Sequence, residues 1–272
     1  MLKEINFLVF NFIFYKISLN LVFLFYLNLN LFYNTGMIEQ GESKMSWLGS
    51  KYLLSEPKKE KNDLLNCYIL RSYSKTYNGK EIQEKVYYDT PDLFFHKNGI
   101  HIGTSAYKGQ KEYSLVVRYD SEKERISYLS YMPDTFEMKI DSSSPIKNHF
   151  SFIARAISNM IINGLEVDIL ETLQGIKPVM NVKKKRECYR INGMNSLRMF
   201  FYFDECEYTT PLAKGKEKMN MLEIVCENDQ KEFKDLFEKT TKDLIIENPT
   251  IVETSHSDLL IGLDALVYFN KI

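Results

Sequence analysis

The stretch from Val86 to Arg118 constrains the fold of this chain more than any other. Val86-Tyr87-Tyr88 reads as a strand, and Asp89-Thr90-Pro91-Asp92 as a tight turn. Asp89 and Thr90 can bond neighbouring backbone amides there, and Pro91 presets φ. Asn98-Gly99 supplies the positive φ at which the next strand, Ile100-His101-Ile102, begins. The β-branched and aromatic run Tyr113–Tyr119 alternates as a half-buried strand does. Local physics therefore gives an antiparallel meander.

The rest of the chain extends this pattern. Trp47–Leu54 reads as a strand and Glu56–Asn66 as a charged link or short helix. Cys67–Tyr77 and Glu84–Tyr88 read as paired strands around Asn78-Gly79, a hairpin signal. Ile126–Met132 is a further strand, and Ser151–Asn163 a helix with Ile153, Ala156, Ile157, Met160 and Ile161 on one face. Val179–Ile191, Leu197–Asp204 and Met219–Glu227 are three more strands. Asp229–Ile246 is a second amphipathic helix, with Asp229 at its N-cap and Glu232 at the capping-box position. Strands in runs with two helices predict an α+β domain with a mainly antiparallel sheet.

With 44% apolar residues the chain can bury a sizeable core. Thirty-five basic against 36 acidic residues give no bulk attraction to nucleic acid or anionic membrane, so charge-driven function must come from local clustering. Cys67, Cys188, Cys206 and Cys226 lie far apart with no CxxC, which argues against a disulfide framework or zinc site. A reducing cytoplasm is the expected location.

Residues 1–36 differ from everything after them. Ile17–Tyr33 is uncharged, but Asn20, Asn28 and Asn30 make it a poor spanning helix, and no small-residue cleavage site marks a signal peptide. Its Phe, Leu, Ile, Asn, Tyr and Lys are what AT-rich DNA encodes without selection. Gln40-Gly41-Glu42 before Met45 admits purine-rich codons resembling a bacterial ribosome-binding site. The expected division is an extension over 1–44, not translated if synthesis starts at Met45, and one domain over 45–272.

Tyr88-Asp89-Thr90-Pro91-Asp92-Leu93, then Asn98-Gly99-Ile100, then a strand ending in a cation resembles the first half of the CYTH domain. The resemblance spans roughly Trp47 to Leu263. It implies the triphosphate tunnel metalloenzyme fold: eight antiparallel strands closed into a barrel, with flanking helices. Inward cations would hold a triphosphate, and carboxylates a Mg²⁺ or Mn²⁺ ion. In a barrel, residues of one site recur at alternate positions of a strand.

Residue by residue, the resemblance carries over in part. Lys51 matches the lysine of the first strand, whose two metal-binding glutamates are replaced by Trp47 and Gly49. Gly103 and Ser105 stand where two arginines are expected, while Arg118 matches the next strand's closing cation. Lys184-Lys185-Arg186 resembles the strand with an inward arginine, which gives Arg186 that role and puts Lys184 on the same face. Asp204 matches an acidic strand end. In Leu222–Glu227, Glu223 matches, Val225 does not, and Glu227 follows on the same parity. Ser255-His256-Ser257-Asp258 lacks the expected lysine. The resemblance thus implies Lys51, Arg118, Lys184 and Arg186 as ligand-binding cations and Asp204, Glu223 and Glu227 as metal ligands, with half of the metal site missing.

Plainer readings stand beside these. Most four-cation runs such as Lys183–Arg186 are solvated, and without an aromatic platform this one is a poor nucleic-acid footprint. His96, His101 and His256 have no metal-like spacing, and Asp89 and Asp92 read as turn residues. The leading expectation is a tunnel protein that binds a small polyanion (a triphosphate, nucleotide or polyphosphate) with weak or lost metal-dependent hydrolysis. The alternatives are an active metal-dependent triphosphatase and a protein-interaction domain with an unused tunnel. Oligomeric state is not legible in the sequence.

Overall fold

A computed structural model describes residues 43–46, 48–120, 125–127, 130–131, 134–160, 168–193, 196–211, 215–227, 233–254, 258–259, 261–263 and 266. Ser43–Ile272 is one compact unit. In chain order its elements are β1 (Ser43–Ser46), β2 (Gly49–Leu54), α1 (Pro57–Asn66), β3 (Ser74–Asp89), α2 (Phe94–Lys97), β4 (Ile100–Tyr107) and β5 (Glu112–Tyr119). After them come β6 (Arg125–Ser127), β7 (Ser130–Tyr131), β8 (Asp134–Asp141), α3 (Phe150–Ser158), α4 (Ile169–Leu173) and β9 (Lys177–Asn192). The last are β10 (Arg198–Thr209), β11 (Glu217–Cys226), α5 (Lys234–Glu247) and β12 (Val252–Glu253).

The protein is α+β, with one antiparallel sheet in the order β1-β8-β5-β4-β3-β9-β10-β11-β2-β7-β6 and β12 beside β2. Among the described residues this path is open at β1 and at β6, rather than the eight-stranded closed ring expected.

Alternation sorts each strand into two faces. Outward, Leu48, Tyr52, Leu54, Phe201, Phe203, Leu222 and Ile224 pack with Leu64 of α1 and Phe237 and Leu244 of α5. Further along, Ile100, Ile102, Leu115 and Val117 pack with Phe152, Ile153, Ala156 and Ile157 of α3. The period-3.6 stripes read in the sequence are the stripes that bury. Burying apolar area here, at about 25 cal/mol per Å², is the main favourable term. The other face carries the buried charges Lys51, Lys184, Arg186, Asp204 and Glu223.

Three expectations need correction. Ile126–Met132, read as one strand, is divided between β6 and β7, which pair antiparallel with each other. Asn78-Gly79 does not turn a hairpin, because β3 runs unbroken for 16 residues. Gly79 has φ +107°, and Asn78-Gly79 together oppose the single residue Cys188, which makes a β-bulge. Cys67–Tyr73 is not strand but a string of turns. The predicted helix caps Asp229 and Glu232, together with Trp47 and Ile161–Asn163, lie outside the described residues.

The Asp89 turn is built as its chemistry suggests. The carboxylate accepts from the amides of Thr90 (2.7 Å), Phe95 (2.9 Å) and His96 (2.8 Å), so it caps α2. Gly99, at φ +74°, starts β4.

Candidate functional site

Lys51 on β2, Lys85 and Tyr87 on β3, Lys184 and Arg186 on β9, Asp204 on β10 and Glu223 on β11 share the inward face. Register supports this, since Glu223 stands opposite Lys51 and Asp204 opposite Arg186. The rest of the four-cation run faces away: Lys185 meets Glu205 at 3.0 Å and Lys183 meets Glu84 at 3.6 Å, both exposed. A pocket of about 720 Å³ is walled by α1, β3, β9 and β10 and lined by residues of both faces, Arg186 and Asp204 as well as Lys61, Lys80, Lys185 and Glu187. There Lys61 and Lys80 both hold Glu187, at 2.7 and 2.6 Å.

The inward charges form two linked centres. At the first, the Asp258 carboxylate receives Lys51 Nζ at 2.8 Å, Lys184 Nζ at 2.8 Å and Lys85 Nζ at 3.1 Å. The Tyr87 hydroxyl donates to the same carboxylate at 3.2 Å. At the second, Arg186 donates through Nε and a terminal nitrogen to the two oxygens of Asp204, each at 2.7 Å. The same nitrogen donates to Glu223 at 2.8 Å, and the guanidinium lies 4.1 Å from the centroid of the Tyr202 ring. Lys184 joins the centres, 3.7 Å from Asp204.

These contacts require a strongly curled sheet. β2 and β3 are four strand steps apart, about 19 Å on a flat sheet, where side chains stand parallel. Lys51 and Lys85 nevertheless reach one carboxylate.

Electrostatics follows from crowding. Burial alone would raise the Asp258 carboxyl, but Lys184, Lys51 and Lys85 outweigh it and hold the group well below the usual carboxylate range. Glu223 is likewise pushed down, with Lys51 and Arg186 overriding burial. Lys85 moves the other way, to about 8, from burial and the charge of Lys184. Such a network is self-consistent: removing one partner leaves the other charge buried and uncompensated.

Arg118 forms a fork with Asp120, at 2.8 and 2.7 Å. It alternates along β5 with Val117, which packs outward against α3, so Arg118 stands on the inward side. His101, 3.5 Å from Asp120, is lowered to about 4 by burial, so its ring is neutral at pH 7. Glu227 forms a half-exposed pair with Arg190 at 2.7 Å. The structure therefore gathers Lys51, Lys184, Arg186, Asp204 and Glu223 into one cluster and sets Arg118 and Glu227 on partners of their own.

Lys85, Tyr87, Tyr202 and Asp258 were missed in the sequence. Parity along β3 carried a signal for the first two, because Lys85 and Tyr87 alternate with Val86 and Tyr88. Asp258, 207 residues from Lys51, lies in the segment that the resemblance aligned with an expected lysine, but it was given no role there.

A Mg²⁺ or Mn²⁺ ion needs several oxygens converging on one point. Among the described residues no group of three or more His, Cys, Asp or Glu side chains is placed to hold a metal. The guanidinium of Arg186 itself lies between Asp204 and Glu223. These residues do not fit a divalent cation. At Gly103, where the resemblance implies an arginine, a Cβ would lie 3.1 Å from the Val86 carbonyl and 3.5 Å from the Tyr87 ring.

No family profile matches the chain, and no curated protein matches it. Solved structures do. One, from Hippeastrum, is described as an adenylyl cyclase with a dominant triphosphatase activity; it is 12% identical over 79% of this chain and 94% of its own, at TM-score 0.47. A structure from Vibrio parahaemolyticus, described as an adenylate cyclase by assignment only, is 10% identical over 82% and 98%, at TM-score 0.42. The S. pombe RNA triphosphatase Pct1, in complex with the Spt5 CTD, is 13% identical over 84% and 90%, at TM-score 0.29. Among the described residues no helix is long and apolar enough to cross a membrane.

Proposed function

We propose that this protein binds a small polyanion, a triphosphate, nucleotide or short polyphosphate, on the inward face of a sheet rolled into a tunnel, without a divalent cation and with hydrolysis weak or lost. One observation carries the reading: Lys51, Lys85, Lys184 and Arg186 converge on one face against the carboxylates of Asp204, Glu223 and Asp258. Lys85 is the least enclosed of these cations, at 24% exposure, and Arg186 lines the pocket through which an anion would approach. Glu81 flanks Arg186, but burial raises its carboxyl toward the neutral form.

Rolling into a tunnel is supported by connectivity. β1 and β2 are separated by two residues, a span of about 11 Å at most, yet they stand far apart along the pairing path. β7 and β8 are also two residues apart and likewise far apart on it. Both links draw the ends of the sheet together.

The test is calorimetry with sodium tripolyphosphate, in EDTA and again with Mn²⁺. Binding in EDTA, changed less than about threefold by Mn²⁺, is the expected result, with phosphate release at background in a malachite-green assay. No binding in either condition overturns the reading. Rapid phosphate release that requires Mn²⁺ replaces it with the metal-dependent triphosphatase.

A further inference from the structure

Asp258 is the hub of the cluster, yet it comes from no strand. Three ammonium groups and a hydroxyl surround its carboxylate, which is the set of donors a single phosphate group takes. The segment that delivers it is seated by apolar contact. Leu259, Ile261 and Leu266 pack with Val179, Val182, Tyr208 and Met221. Gly262 lies so close that a Cβ would stand 2.5 Å from the Tyr208 ring, so this seat requires glycine.

We propose that Asp258 is an internal occupant of the anion site: its carboxylate fills the place of one phosphate, and a polyanion binds by displacing it. The inference rests on the polyanion reading above. A phosphate in contact with Lys51, Lys85 and Lys184 would stand against the Asp258 carboxylate, and two like charges at that separation in a buried site repel strongly. The two occupants therefore exclude each other. The affinity measured for the intact protein is the intrinsic affinity reduced by the fraction of molecules in which Asp258 has left. Asp258 would thus set the ligand charge the site selects, since only an anion carrying more charge than one carboxylate outcompetes it.

Calorimetry with tripolyphosphate in EDTA, on the full chain and on Asp258→Asn, tests this directly. The variant is expected to bind at least tenfold more tightly. Its thermal midpoint, lowered by the loss of the Asp258 charge, should recover with tripolyphosphate by a larger shift than the wild type shows. Leu259→Ala keeps every charge but loosens the seat, and should gain about threefold in affinity. In the wild type, saturating tripolyphosphate should raise hydrogen exchange in peptides covering 258–266. Equal affinity in wild type and Asp258→Asn, with exchange unchanged, overturns the inference and leaves polyanion binding standing. Absence of binding in all three proteins overturns both. Should Asp258→Asn fail to fold, Leu259→Ala and the wild-type exchange decide: a gain in both supports displacement, and no change in either refutes it.

Discussion

Arg186 is a residue whose loss the structure penalises heavily. It satisfies both oxygens of Asp204 and one of Glu223, all three side chains being buried. Arg186→Met leaves two carboxylates facing each other and should cost about 3–5 kcal/mol in urea unfolding. Arg186→Lys keeps the charge but not the fork, and should cost less, about 1–3 kcal/mol. Lys85 gives a pH signature. Its folded value, about 8, lies below that of the unfolded chain. The unfolded state therefore binds more protons between pH 8 and 10, and this group's penalty, complete below pH 8, is relieved as pH rises through that window. Tyr87, raised well above its ordinary value, and Cys206, raised to about 12, pull the other way as pH rises. The comparison is therefore with Lys85→Met: from pH 7.5 to 10 the wild type should gain about 1–2 kcal/mol on the variant, after allowance for its partial exposure. A difference flat in pH would show that Lys85 titrates as a surface lysine does.

Among the elements, the β3–α2–β4 turn was the most legible, because one short stretch holds all its chemistry. Asp89 accepts three backbone amides that would otherwise be orphaned. Asp89→Ala should cost about 2–3 kcal/mol in urea unfolding, and Asp89→Asn less, since one acceptor remains. Two Asn-Gly pairs show where legibility ends. At Asn98-Gly99 the positive φ begins a strand, as read; at Asn78-Gly79 the same dipeptide makes a bulge. Whether a chain reverses at such a pair depends on its partner, and β9 offers pairing along nearly the whole of β3. No feature near residue 79 announces that. The same holds for the site. Alternation along β2, β9, β10 and β11 places Lys51, Lys184, Arg186, Asp204 and Glu223 on one face, since a strand's period is a local property. Asp258 arrives from a segment after β12, and its position depends on apolar packing against three distant strands.

For the whole molecule, the edge at β8 decides how the domain is bounded. β1 covers that edge through four residue pairs, Ser43 with Glu137 to Ser46 with Asp134. An uncovered edge presents unpaired amides and carbonyls to other chains. A protein comprising 43–272, the compact unit, should therefore unfold at a urea midpoint close to that of the full chain. One comprising 48–272 loses β1 and should be less stable and associate with rising concentration, as read by light scattering. The start expected at Met45 falls between the two, keeping the pairs with Thr135 and Asp134 and losing those with Phe136 and Glu137. Its midpoint should lie between those of the other two proteins. If 48–272 matches 43–272 in both stability and solubility, β1 contributes nothing to the fold. The two-residue link from β1 to β2 then no longer supports drawing the ends of the sheet together, and the proposed tunnel must rest on the curl that brings Lys51 and Lys85 to one carboxylate.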